Sequence, residues 1–335
     1  MKATIYDIAK EANVSIATVS KVINGKGRIS SEKRREVLEV MERLNYQPSM
    51  IATALAGKQT FTLGLLVPDI SNPYFAEMAR AIEDQGHRTG YSVVICSTDN
   101  RDERVEKYIG LLLKKSVDGI VIGTGVDNPE LIERLLSRRI PVALVSREMP
   151  DLPVHTVVVD DDLGGRMAAE HLLALGHTRF AVLAEDLKVA SSRHRVRGFR
   201  RALEERGLAF RDADAVICDF QIADGKAAAI GLLGAPDRPT ALFCCNDLLA
   251  IGAIQASREL GLRVPEDVSI VGFDNTILAT VTDPQLTTVA QPIEHMGKQA
   301  VNLLMQDLEA EGAAKSRIVV RPELVVRGST GAFRG

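Results

Sequence analysis

Beyond residue 60, short apolar runs alternate with longer stretches whose apolar residues recur every three or four positions. The apolar runs have the length of strands and form two sets: 62–67, 91–97, 119–124, 141–145 and 156–159, then 179–184, 215–218, 241–245 and 268–272. Amphipathic stretches separate them, such as 74–89, 102–115, 164–175 and 193–205. Fully apolar strands between helices indicate a parallel sheet covered on both faces. The pattern predicts an α/β core of two doubly wound parallel-sheet subdomains.

The first 47 residues differ, because they show three short helical stretches and no strand. A capping residue precedes each one: Thr4 (with Asp7 three residues later), Ser15, and Ser30 or Ser31. The inward positions predicted from the spacing are Ile5, Ile8, Ala9 and Ala12, then Val19, Val22 and Ile23, then Val37, Leu38, Met41 and Leu44. Two short helices joined by a tight turn and braced by a third predict an all-α helix-turn-helix head.

The second helix, over 16–23, has an outward face suited to close contact with a groove. Ile16, Ala17, Ser20 and Lys21 lie on that face, so it is small and polar with one cation. Further basic residues cluster nearby, where they could meet phosphates: Lys26, Arg28, Lys33, Arg34 and Arg35. The alternative is a plain three-helix packing unit, which would need neither feature.

Charge is distributed unevenly along the 335 residues, whose formal net charge is −3. Residues 1–60 hold ten Lys/Arg and six Asp/Glu, whereas the other 275 hold 31 and 38. A basic head on an acidic body fits an anionic partner for the head alone. No apolar run approaches the ~20 residues that span a bilayer, no secretory signal is evident, and the four cysteines show no metal spacing. We therefore expect a cytoplasmic protein with reduced thiols.

Residues 4–60 resemble the DNA-binding head of the LacI/GalR family of bacterial transcription regulators. The run VSIATVSKVIN is specific to that family, as is NYQP followed by a short segment ending in LAGK. The resemblance implies that Ile16, Ala17 and Lys21 face base edges in the major groove. It implies phosphate or sugar contacts for Tyr6, Thr18, Ser20, Asn24 and Arg28, and the predicted DNA-binding set is completed by Thr4, Ser15, Ala52, Leu55 and Lys58.

The segment after Pro48 resembles the hinge helix of the same family. There Leu55 corresponds to the leucine that inserts into the minor groove at the centre of the operator. An apolar side chain inserted between base pairs bends DNA and allows more contacts. The alternative is that Leu55 packs on its dimer mate.

From Phe61 to about Arg327 the chain resembles the regulatory core of that family, which is related to periplasmic sugar-binding proteins. The matching runs include LGLLVPDISNPYFAEMARAIED, CNDLLAIGAI and RVPEDVSIVGFDN. The resemblance implies three crossings between subdomains, near residues 161, 290 and 321. The expected domains are a head (1–47), a hinge (48–60) and a core (61–330), with subdomain one at 61–160 and 291–320 and subdomain two at 161–290 and 321–330.

Ligands of parallel sheets bind at the carboxyl ends of the strands, so two facing subdomains predict a ligand in the cleft between them. Candidate effector-binding residues follow strands or flank strand-to-helix turns: Asn72, Tyr74, Phe75, Ser146, Arg147, Ser191, Arg195, Phe220, Asn246 and Asp274. Aromatic rings can pack on a sugar ring or a base, and Asp274 can accept from two hydroxyls. The alternatives are core packing for the aromatic residues and a turn role for Asn246.

One departure from the family concerns the residues after the fourth strand. Many sugar-responsive members have an aspartate there, but this chain has Ser146 followed by Arg147. A second cation beside Arg195 would suit a phosphorylated or otherwise anionic effector. Without that aspartate, the sequence does not show which other residues would bind the hydroxyl groups of a sugar.

Enzyme and metal functions find little support in the sequence. There is no G-x-S-x-G, no G-x-x-x-x-G-K-[ST] and no H-E-x-x-H, and we expect no cofactor. The run 160–162 is Asp-Asp-Asp, which is either a helix cap leading into Gly164 or, as a lesser alternative, a metal site.

The sequence therefore predicts a homodimeric, ligand-responsive repressor of sugar uptake or catabolism genes that binds a palindromic operator and is controlled by a sugar or sugar derivative. Alternatives within the family are control by a purine-like corepressor or by a phosphoprotein partner. A sugar-binding protein without a transcriptional role is a remote alternative.

Overall fold

The structure is a computed structural model that describes residues 3–23, 27, 29–46, 59–310 and 314–333. The chain divides into two compact units, Met1–Thr60 and Phe61–Gly335. Five of the predicted DNA-binding residues lie outside the described residues: Asn24, Arg28, Ala52, Leu55 and Lys58.

The first unit holds the three predicted helices, α1 (Ile5–Glu11), α2 (Ile16–Ile23) and α3 (Ser31–Arg43). The predicted caps are confirmed. The Asp7 carboxylate accepts from the backbone N–H of Thr4 at 2.8 Å, and Ser15 Oγ accepts from the N–H of Thr18 at 3.1 Å. Of the two serines considered for α3, Ser30 is the cap, and its Oγ accepts from the N–H of Lys33 at 3.3 Å.

The core of this unit confirms most of the predicted inward positions. Its buried residues are Ile8, Ala9, Ala12, Val19, Val22, Val37 and Val40. The prediction for Leu38 is wrong, because its side chain is 48% exposed and Val40 is buried instead. Val37, Val40 and Leu44 follow the three-or-four-residue period of one helix face, and Leu38 lies one residue outside that face.

The second unit contains two six-stranded sheets. Sheet one has the order β11-β5-β4-β3-β1-β2 and all its pairs are parallel. Its strands are β1 (Thr62–Val67), β2 (Ser92–Ser97), β3 (Gly119–Ile122), β4 (Val142–Val145), β5 (His155–Val159) and β11 (Arg317–Val320).

Sheet two repeats this arrangement, with the order β12-β10-β9-β8-β6-β7. Its strands are β6 (Phe180–Ala184), β7 (Ala215–Ile217), β8 (Ala241–Cys244), β9 (Ser269–Asp274), β10 (Thr287–Ala290) and β12 (Glu323–Val325). The edge strand β12 runs antiparallel to β10, so this sheet departs from the wholly parallel prediction. All nine predicted strands are present; β10, β11 and β12 are additional.

Helices follow the strands and cover both sheets. They are α4 (Pro73–Arg88), α5 (Asp102–Lys114), α6 (Glu130–Ser137), α7 (Asp161–Ala174), α8 (Ala190–Glu204), α9 (Ile222–Leu233), α10 (Asp247–Glu259), α11 (Leu278–Val281) and α12 (Ile293–Glu309). The chain passes between the sheets after β5, β10 and β11. None of the helices in the described ranges could span a membrane.

Candidate DNA-binding surface and effector cleft

Helix α2 buries one face and exposes the other. Val19 and Val22 are buried in the three-helix core, whereas Ile16 is 41% exposed and Ala17 and Lys21 are exposed. An apolar Ile16 beside a small Ala17 leaves a surface that a DNA groove could approach closely. The structure thus places the predicted base-facing residues together on one exposed helix face.

The structure also describes the other predicted DNA-binding residues of residues 3–23. Thr4, Tyr6 and Ser15 lie at least partly exposed, and Thr18 and Ser20 are half-buried. The hydroxyls of Ser15 and Thr18 lie 2.9 Å apart, which holds the start of α2 in place.

In the second unit, nine of the ten predicted effector residues line one small cavity between the subdomains. We call this space the inner cavity; its volume is about 50 Å³, room for one or two waters. Its lining comprises Asn72, Tyr74, Phe75, Ser146, Arg147, Val159, Asp161, Glu185, Ser191, Arg195, Asn246, Asp274 and Gln291. Phe220 is the exception: it follows β7, the edge strand of sheet two, and lines neither this cavity nor the larger one beside it.

The buried guanidinium of Arg195 organises the subdomain-two side of the inner cavity. Its Nε donates to Asp161 Oδ1 at 2.7 Å, and its Nη1 donates to the carbonyl of Cys245 and lies 3.8 Å from Asp274 Oδ1. The guanidinium carbon lies 3.7 Å from the centre of the Phe273 ring. Burial raises the pKa of the Asp274 carboxyl well above its usual range, and the Arg195 charge opposes that rise.

Two glycines allow Arg195 to reach Asp161. A side chain at Gly165 in α7 would overlap the carbonyl of Arg195 in α8, and one at Gly198 would overlap the carbonyl of Asp162. The backbones of α7 and α8 therefore touch. This close crossing sets the acidic start of α7 against the basic face of α8, where Arg197 Nε also donates to Asp162 at 2.7 Å.

A chain of hydrogen bonds crosses the inner cavity from one subdomain to the other. Tyr74 shares a hydrogen bond with Ser146 and donates to Gln291 Oε1 at 3.3 Å. Gln291 Nε2 in turn donates to Asp274 Oδ1 at 2.7 Å. Burial raises the pKa of Tyr74, so its phenol remains a neutral donor. The two subdomains are thus connected through side chains at the strand ends.

Backbone strain marks the same place. Ser146 has φ 59° and Asp274 has φ 115°, both in the left-handed region that residues with a Cβ rarely adopt. Eight other described residues with a Cβ also have positive φ, so the feature is not confined to the cleft. Two other cavity residues, Asn72 and Asn246, cap helices. Asn72 Oδ1 accepts from the backbone N–H of Tyr74 at 3.0 Å, and Asn246 Oδ1 accepts from that of Leu249 at 2.8 Å.

A larger cavity of about 510 Å³ adjoins the inner one, and we call it the outer cavity. Ser146, Arg147, Val159, Asp161 and Ser191 line both, so the two cavities share a wall. Ligand sites of this kind typically measure about 300–1,000 Å³.

Sequence reasoning missed Asp161, Glu185 and Gln291 as members of the cleft. Gln291 follows β10, and Asp161 begins α7 directly after β5, so both occupy the strand-end positions that pointed to the other candidates. Asp160 proves to be the helix cap, since its Oδ1 accepts from the N–H of Leu163 at 3.0 Å. Among the described residues, no group of three or more His, Cys, Asp or Glu side chains could hold a metal ion.

Comparison with protein families matches both units. Residues 4–49 match the model of the bacterial regulatory proteins of the lacI family, and residues 169–330 match a periplasmic binding protein-like domain.

Relatives match over nearly the whole length. The HTH-type transcriptional regulator DegA of Bacillus subtilis (strain 168) is 46% identical over 333 residues, covering 98% of each chain. A lac repressor dimer bound to operator and the anti-inducer ONPF superposes with a TM-score of 0.88 at 30% identity, covering 99% of this chain and 100% of that one. The transcriptional regulator CelR in complex with cellobiose has a TM-score of 0.75 at 30% identity, covering 98% and 99%.

Proposed function

Because the chain belongs to the LacI family of DNA-binding transcriptional regulators, we propose that it is a homodimeric repressor whose two heads bind the halves of a palindromic operator. Members of this family bind operator DNA and a small-molecule effector. The lac repressor structure with operator is a dimer, which supports the dimeric arrangement here. A two-fold symmetric protein requires a two-fold symmetric site. Its place of action is the bacterial cytoplasm, where the operator is.

The observation that carries the DNA-binding proposal is the exposed face of α2. Lys21 is able to donate to guanine O6 and N7, and Ile16 to contact a thymine methyl. The hinge residue Leu55, which the sequence alone supports, adds an apolar wedge at the operator centre.

The proposed effector is a sugar or sugar derivative that binds in the cleft and changes the affinity of the protein for its operator. The cellobiose complex of CelR supports this class, as does the pairing of Asp274 and Arg195, whose carboxylate and guanidinium suit hydroxyl groups. A ligand that prefers one arrangement of the subdomains shifts the populations, and the hinge transmits that shift to the heads.

Selection of DNA from a random-sequence duplex library by the full-length protein tests the DNA-binding proposal. We expect enrichment of one palindrome. The Lys21→Ala variant should lose about 1–3 kcal/mol of specific binding per half-site and relax the preference at one position of each half-site. Lys107→Ala, which removes an exposed lysine of the other unit, should bind as the wild type does. No enrichment, or an enriched site without symmetry, would contradict the proposal.

A further inference from the structure

Among the described residues, one arginine of the cleft forms no direct ion pair. Arg147 lies in the wall shared by the inner and outer cavities, and its Nε atom is buried without a hydrogen-bond partner in the part of the chain that the structure describes. The other arginines that line these cavities are paired: Arg195 with Asp161, Arg197 with Asp162 and Arg317 with Glu148.

Burial without a partner is costly for a guanidinium. It lowers the pKa of Arg147, and the charges of Glu185 and Asp161 oppose this only in part. An anion entering the cavity would supply the charge-assisted hydrogen bonds that this side chain lacks. A ligand group that brings a negative charge to Arg147 would therefore complement this wall of the cleft, whereas other parts of the outer cavity carry acidic residues such as Asp127 and Asp160.

An uncapped helix start lines the same space. Helix α8 begins at Ala190 and runs for 15 residues; the residue at its cap is Val189, which has no side-chain acceptor, and its first turn contains no acidic residue. Lys188, Val189, Ala190 and Ser191 line the outer cavity together with Arg147. The free N–H groups at the start of a helix bind anions, and the helix dipole strengthens that attraction. The neighbouring α7 differs, since Asp160 already caps it.

We propose that the effector is a small hydroxylated metabolite carrying a phosphate or carboxylate group, and that Arg147, the start of α8 and Lys188 bind this group in the outer cavity. Its hydroxylated part would then extend towards Asp274 and Arg195 in the inner cavity. This inference rests on the proposed function, because it assigns the effector class of that same cleft.

Calorimetric titration of the full-length protein with matched neutral and anionic compounds tests the inference. The pairs are glucose and glucose 6-phosphate, ribose and ribose 5-phosphate, and glucose and glucuronate; the phosphate and carboxylate arms separate the two anionic groups. We expect an anionic member to bind at least about tenfold more tightly than its neutral partner. Arg147→Gln should remove that advantage, so that the two members of a pair bind with equal affinity, and Arg147→Lys should retain part of it.

Arg263→Gln is the matched control, because this arginine pairs with Asp267 and lines neither cavity; the anionic preference should persist in it. Equal binding of neutral and anionic members, no binding of any anionic member, or an unchanged preference in Arg147→Gln would each overturn the inference. A neutral sugar that binds in the cleft and changes operator affinity would overturn the anionic class while leaving the proposed function intact. Failure of the chain to select DNA would reject the proposed function itself.

Discussion

At the scale of single residues, the cleft shows which contacts a sequence can and cannot predict. Arg195 and Asp274 are predictable because each follows or flanks a strand, and the structure places their charged atoms 3.8 Å apart. Their other partners come from elsewhere: Asp161 from the crossing after β5, and Gln291 from the crossing after β10. Local pattern gives the position of a side chain at a strand end, but not which distant segment will meet it there.

The surroundings of two histidines predict that the free energy of unfolding depends on pH. His177 is buried, with Nδ1 3.0 Å from Thr240 Oγ1 and Nε2 3.0 Å from Ser269 Oγ, and His171 Nε2 lies 2.9 Å from Thr330 Oγ1. Burial lowers the pKa of both, so the folded chain binds protons less readily than the unfolded chain. Their contribution to the free energy of unfolding is therefore present above about pH 6.5 and lost as the pH falls below it.

Burial raises the pKa of Asp247 to about 6. Protonation of this carboxyl therefore increases the free energy of unfolding as the pH falls, which opposes the effect of the two histidines. The measurement is therefore a comparison of urea unfolding at pH 7.5 and 5.5 between the wild type and His171→Gln. We expect the variant to lose less stability over that interval. His295→Gln, on the exposed side of α12, should match the wild type. An equal or larger loss in His171→Gln would contradict the assignment.

At the scale of elements, the crossing of α7 and α8 decides the geometry of the cleft. In the sequence, the pair Gly164-Gly165 indicates no more than the continuation of a capped helix. The role of Gly165 emerges only from its contact with Arg195, which lies 30 residues later in the chain. The strands, in contrast, were mostly predictable from local sequence. The nine strands with continuous apolar runs were evident, whereas β12 has only three residues, none of them fully buried. The edge strand β7 is equally short, but its three residues are all apolar and the sequence predicts it; β12 begins with Glu323, which leaves an apolar run of only two residues in the strand.

Substitution at this crossing gives a direct test. In Gly165→Ala the new methyl group would overlap the carbonyl oxygen of Arg195, and overpacking of this kind costs about 1–3 kcal/mol. The midpoint of urea unfolding should fall accordingly. In Gly231→Ala, also within a helix, the methyl group meets nothing within 4 Å, so the variant should be as stable as the wild type or more stable by up to about 1 kcal/mol. Equal stability of Gly165→Ala and the wild type would show that the helices can separate without cost.

At the scale of the whole molecule, the two-subdomain core and the separate head were predictable because alternation of strands and helices and the change of pattern near residue 60 are global features. The series of hydrogen bonds from Tyr74 through Gln291 to Asp274 was not predictable, because it forms only when the two subdomains face each other. That series joins the two subdomains across the inner cavity. A ligand bound there contacts both subdomains at once and so is able to favour one arrangement of the core over another.

The central claim is that the cleft controls DNA binding, and one measurement tests it most directly. Fluorescence anisotropy would give the affinity of the full-length protein for the selected palindrome with and without the compound that binds most tightly in the calorimetric titrations. We expect a change of about 5- to 150-fold, corresponding to a coupling free energy of about 1–3 kcal/mol. Asp274→Asn should bind the palindrome as the wild type does without the compound, and should lose the change. The same operator affinity with and without a compound bound in the cleft would contradict the claim.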